Sequence, residues 1–355
     1  MSTQVPSSRA WIQVDLANLL ANARTVQRAA GGAALLPVVK ADAYGLGAIP
    51  VVRALEQLRP WGYAIATLDE AVALRQAGIT RPLLVFTPVT AAMESQYREW
   101  DLRAVLDDPE VANAWSLPYH LEIDSGMGRC GVPWDATEVL RAFESRQLEA
   151  AFTHFYAADQ GSESVSMQWE RFERALASLS ARPALLHAAN SAGAWRLGTG
   201  PDLVRPGIFL YGGEHAPDLP RPQPVASVRA PVVSVRRVPA GGTVSYGAEW
   251  KAPRPTTVAT LAIGYADGVP RHVKGRAHVV LHGKRLPIVG RVTMDFVMVD
   301  AGPESRVRIG DLATVVGTDG DHEIGIDEFA GWSDTIAYEA LVRFGMRMSK
   351  EFVGP

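Results

Sequence analysis

Residues 35–47 read LLPVVKADAYGLG, an apolar run that ends in Lys40 and breaks at once into a turn marked by Gly45 and Gly47. A short apolar run bounded by turn signals is typical of a buried strand. A lysine at the end of such a strand is unusual, because burying an ammonium is costly unless the group is paired or chemically altered. This stretch alone allows two interpretations. Lys40 is either a strand-end lysine whose ammonium reaches solvent, or a lysine whose amine takes part in a reaction.

Lysine usage favours the second reading. The chain has five lysines among its 35 lysine and arginine residues, and Lys40 is the only one before Lys251. Where a plain cation is sufficient, this protein uses arginine. Position 40 instead keeps an amine, which can lose its proton and condense with an aldehyde.

The composition is that of an ordinary globular protein, with 47% hydrophobic and 21% charged residues among 355. A net charge of -3 and a pI near 6.3 give no electrostatic case for nucleic acid or for an anionic membrane. The single cysteine, Cys130, excludes an internal disulfide and a cysteine-based zinc site. Neither a signal peptide nor a membrane span of about 18 apolar residues is visible, so we expect a cytoplasmic protein.

The first two-thirds of the chain alternate short apolar runs with amphipathic stretches. After a strand-like segment at Trp11–Asp15 and a helix through about Ala29, helices are predicted near 49–58, 68–77, 136–143 and 168–179. This alternation predicts a (β/α)8 TIM-type barrel over residues 11–220. A doubly wound sheet fits less well, because no G-x-G-x-x-G follows a strand. The eight apolar runs fall at about 35–40, 62–66, 82–86, 102–106, 119–124, 149–154, 184–188 and 202–205.

The sequence pattern changes after a proline-rich linker at about 217–224. Short strand-like runs follow, separated by glycine-rich or charged turns, and they predict a C-terminal all-β domain over residues 225–355. Residues 1–10 are expected to pack with it. The strand-like runs lie at 232–238, 257–263, 277–281, 286–289, 296–299 and 313–316.

Polar side chains follow several of the predicted barrel strands. Chemistry in such barrels collects at the C-terminal ends of the strands, so these side chains are expected to meet at one mouth. Any one of them alone is more simply explained as a hydrogen-bonded core residue. Together they are hard to explain by packing: Lys40, Glu122 with Asp124 and Arg129, His154, His187 with Asn190 and Ser191, and Arg205 with Gly207 and Ile208.

An amine that faces several cationic or neutral donors suggests an anionic cofactor that carries an aldehyde. Pyridoxal 5'-phosphate fits, with its aldehyde on Lys40 and its phosphate on hydrogen-bond donors. Backbone N–H groups of Gly207 and Ile208 and the hydroxyls of Ser191 and Tyr44 are candidate donors. The competing hypothesis is a metal held by Asp124, His154 and His187, but no local ligand spacing supports it, and we expect no metal.

These residues lie in motifs that resemble those of the alanine racemase family, the fold type III group of pyridoxal-phosphate enzymes. The resemblance spans nearly the whole chain, and VKADAYG at 39–45 is similar to the cofactor-lysine signature of the family, which is highly specific. The supporting motifs are DSGMGR at 124–129, THF at 153–155, HAANS at 187–191, VRPGI at 204–208, VSYGA at 244–248, IGYADG at 263–268, GRVTMD at 290–295 and IAYE at 336–339.

The resemblance implies a racemase with two bases, Lys40 on one face of the substrate and Tyr246 on the other. In the family this tyrosine comes from the partner subunit, so a homodimer with shared active sites is implied. A tyrosine is an unusual base because its ordinary pKa is near 10. A hydrogen-bond chain to His154 and Arg205 would supply a cationic neighbourhood. Arg205 would also donate to the pyridine nitrogen and leave the ring largely unprotonated.

The resemblance also implies the remaining site residues. Arg129 and the backbone N–H of Met294 match contacts to the substrate carboxylate. Tyr265 and Asp295 match residues that line the entrance and support the site. The implied phosphate ligands are Tyr44, Ser191, Gly207, Ile208 and Tyr338.

Three departures from the family pattern stand out. Glu122 occupies the position at which many members carry a carbamylated lysine, so we expect its carboxylate to orient Arg129 without carbamylation. Thr293 replaces a cysteine that some members place beside the substrate methyl group. Tyr156 replaces a residue that is usually small, and these two changes bear on substrate choice.

The leading hypothesis is therefore interconversion of L-alanine and D-alanine, which supplies D-alanine for peptidoglycan. A racemase of broader range is the second reading. A non-catalytic pyridoxal-phosphate carrier is the third, although carriers lack a second domain and its tyrosine. A decarboxylase is a further alternative, but it would need a cysteine in the second domain, and the only cysteine is Cys130.

Overall fold

The computed structural model describes residues 9–354. Strand β1 (Trp11–Asp15) leads directly into helix α1 (Leu16–Ala29). The Asp15 carboxylate caps this helix by accepting the backbone N–H of Asn18 at 2.9 Å, which satisfies a donor that the first helical turn leaves free. The predicted strand and helix are both confirmed.

Eight parallel strands close into a barrel. Seven coincide with predicted apolar runs, whereas the first, Ala34–Leu35, shares only Leu35 with the predicted run 35–40, and Val38 adds a single bridge before Lys40 opens a turn. Neighbouring strands pair in parallel, and the bridges Val38–Ala64 and Leu84–Arg103 complete the ring. The (β/α)8 barrel is therefore confirmed. Its strands are β2 (Ala34–Leu35), β3 (Tyr63–Ile65), β4 (Leu83–Val85), β5 (Ala104–Leu106), β6 (Tyr119–Asp124), β8 (Leu148–Phe152), β9 (Leu185–His187) and β10 (Leu203–Val204), and the short β7 (Val132–Pro133) pairs with β6.

Helices connect these strands on the outside of the barrel. The predicted helix near 168–179 begins earlier, at Glu163, because Val165 adds a buried contact one turn before Gln168. The helices are α3 (Ala48–Leu55), α4 (Leu68–Gln76), α5 (Glu94–Glu99), α6 (Pro109–Ala114), α7 (Thr137–Arg141), α8 (Glu163–Leu176) and α9 (Gly193–Leu197). The segment α2 (Lys40–Tyr44) is instead a left-handed turn whose first and last residues line the cavity of the barrel.

The second sheet has nine strands and confirms the predicted β domain. Strand β1 joins this sheet, where it pairs antiparallel with β11 and parallel with β20. Strands β12 and β13 form a separate hairpin. The strands after the barrel are β11 (Ala226–Val238), β12 (Thr243–Val244), β13 (Trp250–Lys251), β14 (Thr256–Leu261), β15 (His278–Leu281), β16 (Lys284–Pro287), β17 (Val297–Gly302), β18 (Leu312–Asp319), β19 (His322–Ile324) and β20 (Ser349–Val353).

The domain ranges 11–220 and 225–355 stay a prediction. Trp11–Asp15, which the first range includes, lies in the second sheet, and the Ala10 backbone N–H donates to the Ala262 carbonyl of the same domain. The expectation that residues 1–10 pack there otherwise concerns positions 1–8, which lie outside the described residues. Within 9–354, no helix has the length and apolar character to span a membrane.

Two helices of the second domain were not predicted, α10 (Ile326–Gly331) and α11 (Ala337–Gly345). Helix α11 buries one apolar face, and its last residue lies directly against Gly45 of the turn after Lys40. This close approach of two glycine backbones ties the second domain to the mouth of the barrel.

We predict that Gly45→Ala destabilises the protein much more than Gly78→Ala. The two glycines have nearly the same φ, +85° and +87°, but a Cβ at Gly45 would lie 2.6 Å from the Leu341 carbonyl oxygen, whereas Gly78 has open space. We expect Gly78→Ala to lower the free energy of unfolding by about 1 kcal/mol through backbone strain. Gly45→Ala should lower it by about 3 kcal/mol, because overpacking adds to the same strain. Urea denaturation measures both, and equal losses would contradict the close contact.

Candidate active site

One cavity of about 410 Å³ opens at the C-terminal ends of the barrel strands. Most of the predicted site residues line this cavity, although they lie far apart from one another in the sequence. The cavity brings together Lys40, Tyr44, Glu122, Arg129, His154, Ser191, Arg205, Gly207, Ile208 and Tyr338. Their roles stay predictions, but their convergence is a property of the fold.

Lys40 begins a turn of unusual handedness. The four residues Ala41–Tyr44 all have φ between 52° and 57°, which is a left-handed helical turn made without glycine. Each such residue costs about 1–2 kcal/mol, so the surrounding structure must hold the turn in place. Glu70 accepts the Ala41 backbone N–H at 2.6 Å, and Asp42 accepts that of Ala48 at 2.7 Å.

The environment of Lys40 favours the neutral amine. Burial is the main factor that lowers the pKa of its ammonium, and the positive charge of Arg129 lowers it further. The Glu70 carboxylate opposes this shift. A lysine that loses its proton more readily is present to a greater extent as the neutral amine, the form that can attack an aldehyde or accept a proton.

A cradle for an anion forms around Ser191. Its hydroxyl oxygen accepts the backbone N–H groups of Gly207 at 3.0 Å and Phe209 at 3.4 Å. A Cβ on residue 207 would overlap the Tyr44 hydroxyl, so glycine is required for this close approach. Burial raises the pKa of Tyr44 and raises that of Tyr338 to about 12, so both hydroxyls stay protonated and available as donors.

Arg205 is buried at the centre of the site, with 3% of its surface exposed. Its guanidinium donates to the carbonyls of Thr153 at 2.8 Å and Ala188 at 3.2 Å, and to ring nitrogens of two histidines. Burial lowers the pKa of Arg205 to about 10, with Glu122 opposing this shift. The guanidinium therefore stays charged at neutral pH.

His154 is held as a neutral imidazole. Its Nδ1 lies 3.3 Å from Nη2 of Arg205, which can only donate, so Nδ1 accepts and the proton resides on Nε2. Burial lowers the pKa of His154 to about 3, and the charges of Arg205, Arg129 and Lys40 add to this shift.

Glu122 is the partner of Arg129. Their charged groups are 4.0 Å apart, with Glu122 buried and the Arg129 side chain 55% exposed. Burial raises the pKa of Glu122, and the charges of Arg129 and Arg205 oppose that shift. The predicted use of Glu122 as a negative group beside Arg129 thus agrees with the observed contact.

The charge balance of the cavity suits an anionic ligand. Among the described residues that line it, Glu122 is the one carboxylate, against the three basic groups of Lys40, Arg129 and Arg205. Hydroxyls and backbone N–H groups cluster around Ser191, and the amine of Lys40 shares the same cavity. This donor set fits a phosphorylated aldehyde such as pyridoxal phosphate.

Four predicted site residues lie elsewhere in the chain. Tyr246, Met294 and Tyr265 are exposed on the second domain, with Tyr246 69% exposed, and they do not line the Lys40 cavity. Asp295 binds Arg347 at 2.9 Å. The turn that carries Tyr265 is bonded to the segment that carries Met294, through the Ala266 N–H and the Met294 carbonyl. A single chain therefore does not unite Lys40 with Tyr246.

Sequence reasoning missed two polar residues beneath the cavity, the buried His120 and the partly buried Glu149. The available signal was the two-residue alternation of His120, Glu122 and Asp124, which puts all three on one face of β6. His187, which was among the strand-end candidates, bonds His120 at 2.8 Å. No cluster of three metal-ligating side chains occurs in the described part of the chain.

We predict that His215 makes stability fall as the pH drops. It packs between the rings of Trp195 and Phe209, and burial lowers its pKa from 6.5 to about 4. Below pH 6.5 the unfolded chain therefore binds a proton that the folded chain does not. The free energy of unfolding should fall by about 1.4 kcal/mol per pH unit for this group until about pH 4.

The variant His215→Phe should remove the contribution of this one titrating group to the slope of the free energy of unfolding against pH. Urea denaturation at several pH values measures that slope. His322→Gln, a histidine substitution on strand β19 outside this aromatic cluster, is the control. Equal slopes for the wild-type protein and His215→Phe would contradict the prediction.

Two family models match the chain in sequence. "Alanine racemase, N-terminal domain" matches residues 14–215, and "Alanine racemase, C-terminal domain" matches residues 225–352. The alanine racemase of Carboxydothermus hydrogenoformans is 38% identical over 366 residues, which cover 97% of this chain and 99% of that protein.

Solved structures agree over nearly the full length. The crystal structure of alanine racemase from Bacillus anthracis with bound L-Ala-P superimposes with a TM-score of 0.91 at 31% identity, covering 99% of this chain and 96% of that one. That of alanine racemase from Bartonella henselae, with covalently bound pyridoxal phosphate, gives 0.88 at 28% identity, covering 97% and 99%.

Proposed function

The chain belongs to the alanine racemase family, and on that premise we propose that it uses pyridoxal phosphate to interconvert L-alanine and D-alanine by proton transfer at Lys40 and Tyr246. The observation that carries the proposal is the cavity in which a desolvated lysine, an anion cradle and a buried arginine–histidine pair meet. The D-alanine formed would supply cell-wall peptidoglycan.

Specific groups would hold the cofactor. Lys40 Nζ would be its covalent attachment point. Arg205 would face its pyridine nitrogen, and a guanidinium with a pKa of about 10 does not readily give up a proton there. The phosphate would lie among the hydroxyls and backbone N–H groups of Tyr44, Ser191, Gly207, Ile208 and Tyr338.

When bound, pyridoxal phosphate would supply an electron sink that acidifies the Cα–H bond of an attached amino acid. The residues of the chain would then move the proton. Burial of Lys40 Nζ favours the neutral amine, so this group could accept a proton on one face of the substrate.

On the other face the proton would move at Tyr246 Oη. The exposure of Tyr246 on the second domain, away from Lys40 of the same chain, supports a site completed by a second subunit. His154 carries its proton on Nε2, because Nδ1 accepts from Arg205. That N–H is available to stabilise a phenolate, with the charge of Arg205 behind it.

Arg129 and Met294 would hold the substrate carboxylate. The guanidinium of Arg129 is half-exposed in the cavity, as a binding group must be, and Glu122 steadies it from the buried side. Tyr265 and Asp295 would line the entrance, and Arg347 anchors Asp295. Met294 would contribute its backbone N–H from the partner subunit.

Racemisation in D2O tests the function directly. Purified protein with pyridoxal phosphate is given L-alanine, L-serine, L-lysine or L-arginine, and products are read by chiral chromatography with mass detection. We expect D-alanine with an α-deuteron to dominate. Equal yields of D-serine or D-lysine would indicate a racemase of broader substrate range instead of one that is strict for alanine. Absence of exchange with all four would overturn the proposal.

We predict that two inactive variants complement each other. Co-expression of Lys40→Ala and Tyr246→Phe should recover about a quarter of wild-type activity, because about half of the dimers are mixed and one site of each keeps both groups. The control pairs Lys40→Ala with the double variant Lys40→Ala/Tyr246→Phe and should stay inactive. A first pair as inactive as the control would show that the sites are not shared.

We predict that activity is independent of carbon dioxide, because Glu122 already supplies the negative charge beside Arg129. With 13C-bicarbonate, 13C NMR should show no lysine carbamate in the wild-type protein. Glu122→Lys is the positive control, and its carbamate signal and activity should rise together with bicarbonate. A carbamate on any lysine of the wild-type chain would refute the prediction.

A further inference from the structure

A line of three hydrogen bonds crosses the interior of the barrel, two of them buried and the last, at Glu149, partly buried. Arg205 Nη1 lies 2.8 Å from His187 Nδ1, His187 Nε2 lies 2.8 Å from His120 Nδ1, and His120 Nε2 lies 3.2 Å from Glu149 Oε2. We call these four residues the barrel relay. Arg205 follows the C-terminal end of β10, whereas His120 and Glu149 lie near the N-terminal ends of β6 and β8. The relay therefore joins the site to the opposite end of the barrel.

Both ends of the relay impose the same direction on its hydrogen bonds. A guanidinium can only donate, so His187 Nδ1 accepts and its Nε2 carries the proton. His187 then donates to His120 Nδ1, and His120 donates from Nε2 to the Glu149 carboxylate, which can only accept. A reversed tautomer at His187 would set two N–H groups against each other at 2.8 Å.

The ionisation of the relay is consistent with this direction. Burial lowers the pKa values of His120 and His187, so both imidazoles are neutral. Burial alone would raise the pKa of Glu149, but the hydrogen bond from His120 and the charge of Arg103 outweigh it and keep the carboxylate ionised.

Packing holds the relay in a fixed geometry. The ring of Phe152 stacks on His187 at 4.7 Å with an angle of 6°, and the same ring lies 5.2 Å from the Arg205 guanidinium. Barrel interiors are usually filled by branched aliphatic side chains. Two imidazoles in this place need full hydrogen bonding to be tolerated, and the relay provides it.

We propose that Glu149 is a remote positioning residue, which accepts the Nε2–H of His120 and so completes the hydrogen bonds that hold His187 with its lone pair toward Arg205. This inference rests on the proposed function, in which Arg205 faces the cofactor. Neither His120 nor Glu149 lines the cavity, so both act only through Arg205. The competing account makes Glu149 an ion-pair partner of Arg103, 3.3 Å away, with no influence on the site.

Matched variants separate the two accounts. Glu149→Leu removes the terminal acceptor, whereas Glu149→Gln keeps an oxygen that can accept from His120. His120→Phe cuts the relay but leaves the ion pair with Arg103, and it serves as a second test if Glu149→Leu fails to fold. Asp101→Asn is the control, because Asp101 is the other carboxylate bound to Arg103, at 2.9 Å, and lies outside the relay.

The first measurement is 15N NMR of the imidazoles in the full-length protein, without cofactor and then with it. Wild-type His120 and His187 should both carry the proton on Nε2. Glu149→Leu and His120→Phe should shift the Nε2–H resonance of His187, which Glu149 does not touch, because the hydrogen bond that this N–H donates to His120 is weakened or lost. Glu149→Gln and Asp101→Asn should leave it unchanged. An Nδ1–H tautomer in wild-type His187, or no shift in Glu149→Leu and His120→Phe, would overturn the proposal.

The second measurement is racemisation kinetics of the holoenzyme. Glu149→Leu and His120→Phe should lower kcat about tenfold, because an orphaned buried N–H loosens Arg205. KM for L-alanine should change by less than about threefold, because the substrate contacts are intact. Unchanged kcat in folded variants would overturn the positioning role. If the wild-type protein racemises nothing, the proposed function fails, whereas the NMR result still decides whether Glu149 controls His187.

Discussion

The structure depends on the desolvation of one amine at the end of a buried strand. An ammonium in that place is penalised, so Lys40 is shifted toward the neutral form that both condensation with an aldehyde and proton abstraction require. Holding it there needs a left-handed turn over Ala41–Tyr44, which the chain would not adopt by itself. Gly45 and Gly345 pack the second domain against this turn, so part of the energy that holds the strained segment comes from contacts between domains.

The basic side chains around this amine differ in how deeply they are buried. Arg205 is deeply buried and hydrogen-bonded on several sides, which suits a fixed structural charge. Arg129 is half-exposed beside a single carboxylate, which suits a group that must meet a ligand. The imidazole of His154 lies against Arg205 and stays neutral. One cluster thus contains a permanent cation, a binding cation and a neutral donor.

Much of this could be read from the sequence, because barrel strands are continuous apolar runs and their polar ends are conspicuous. Seven of the eight barrel strands and six of the ten strands described after the barrel could be placed by pattern alone; the short β12, β13 and β19 and the edge strand β20 were missed. Helix α11 was missed because its role depends on the contact with Gly45, nearly three hundred residues away in sequence. His120 and Glu149 were missed because alternation along β6 indicates the face of His120 but not its partners, and only the closed barrel connects it to His187 and Glu149. Tyr246 was predicted by motif, and within one chain it lies away from the Lys40 cavity.

The most direct test of the account is reduction of the protein with borohydride in the presence of pyridoxal phosphate at neutral pH, followed by peptide mass mapping. A desolvated amine in an anion-binding cavity should capture the cofactor in preference to the four other lysines, Lys251, Lys274, Lys284 and Lys350. The account predicts one equivalent of reduced cofactor on the peptide that contains Lys40. Label distributed over the other lysines, with Lys40 unmodified, would contradict it.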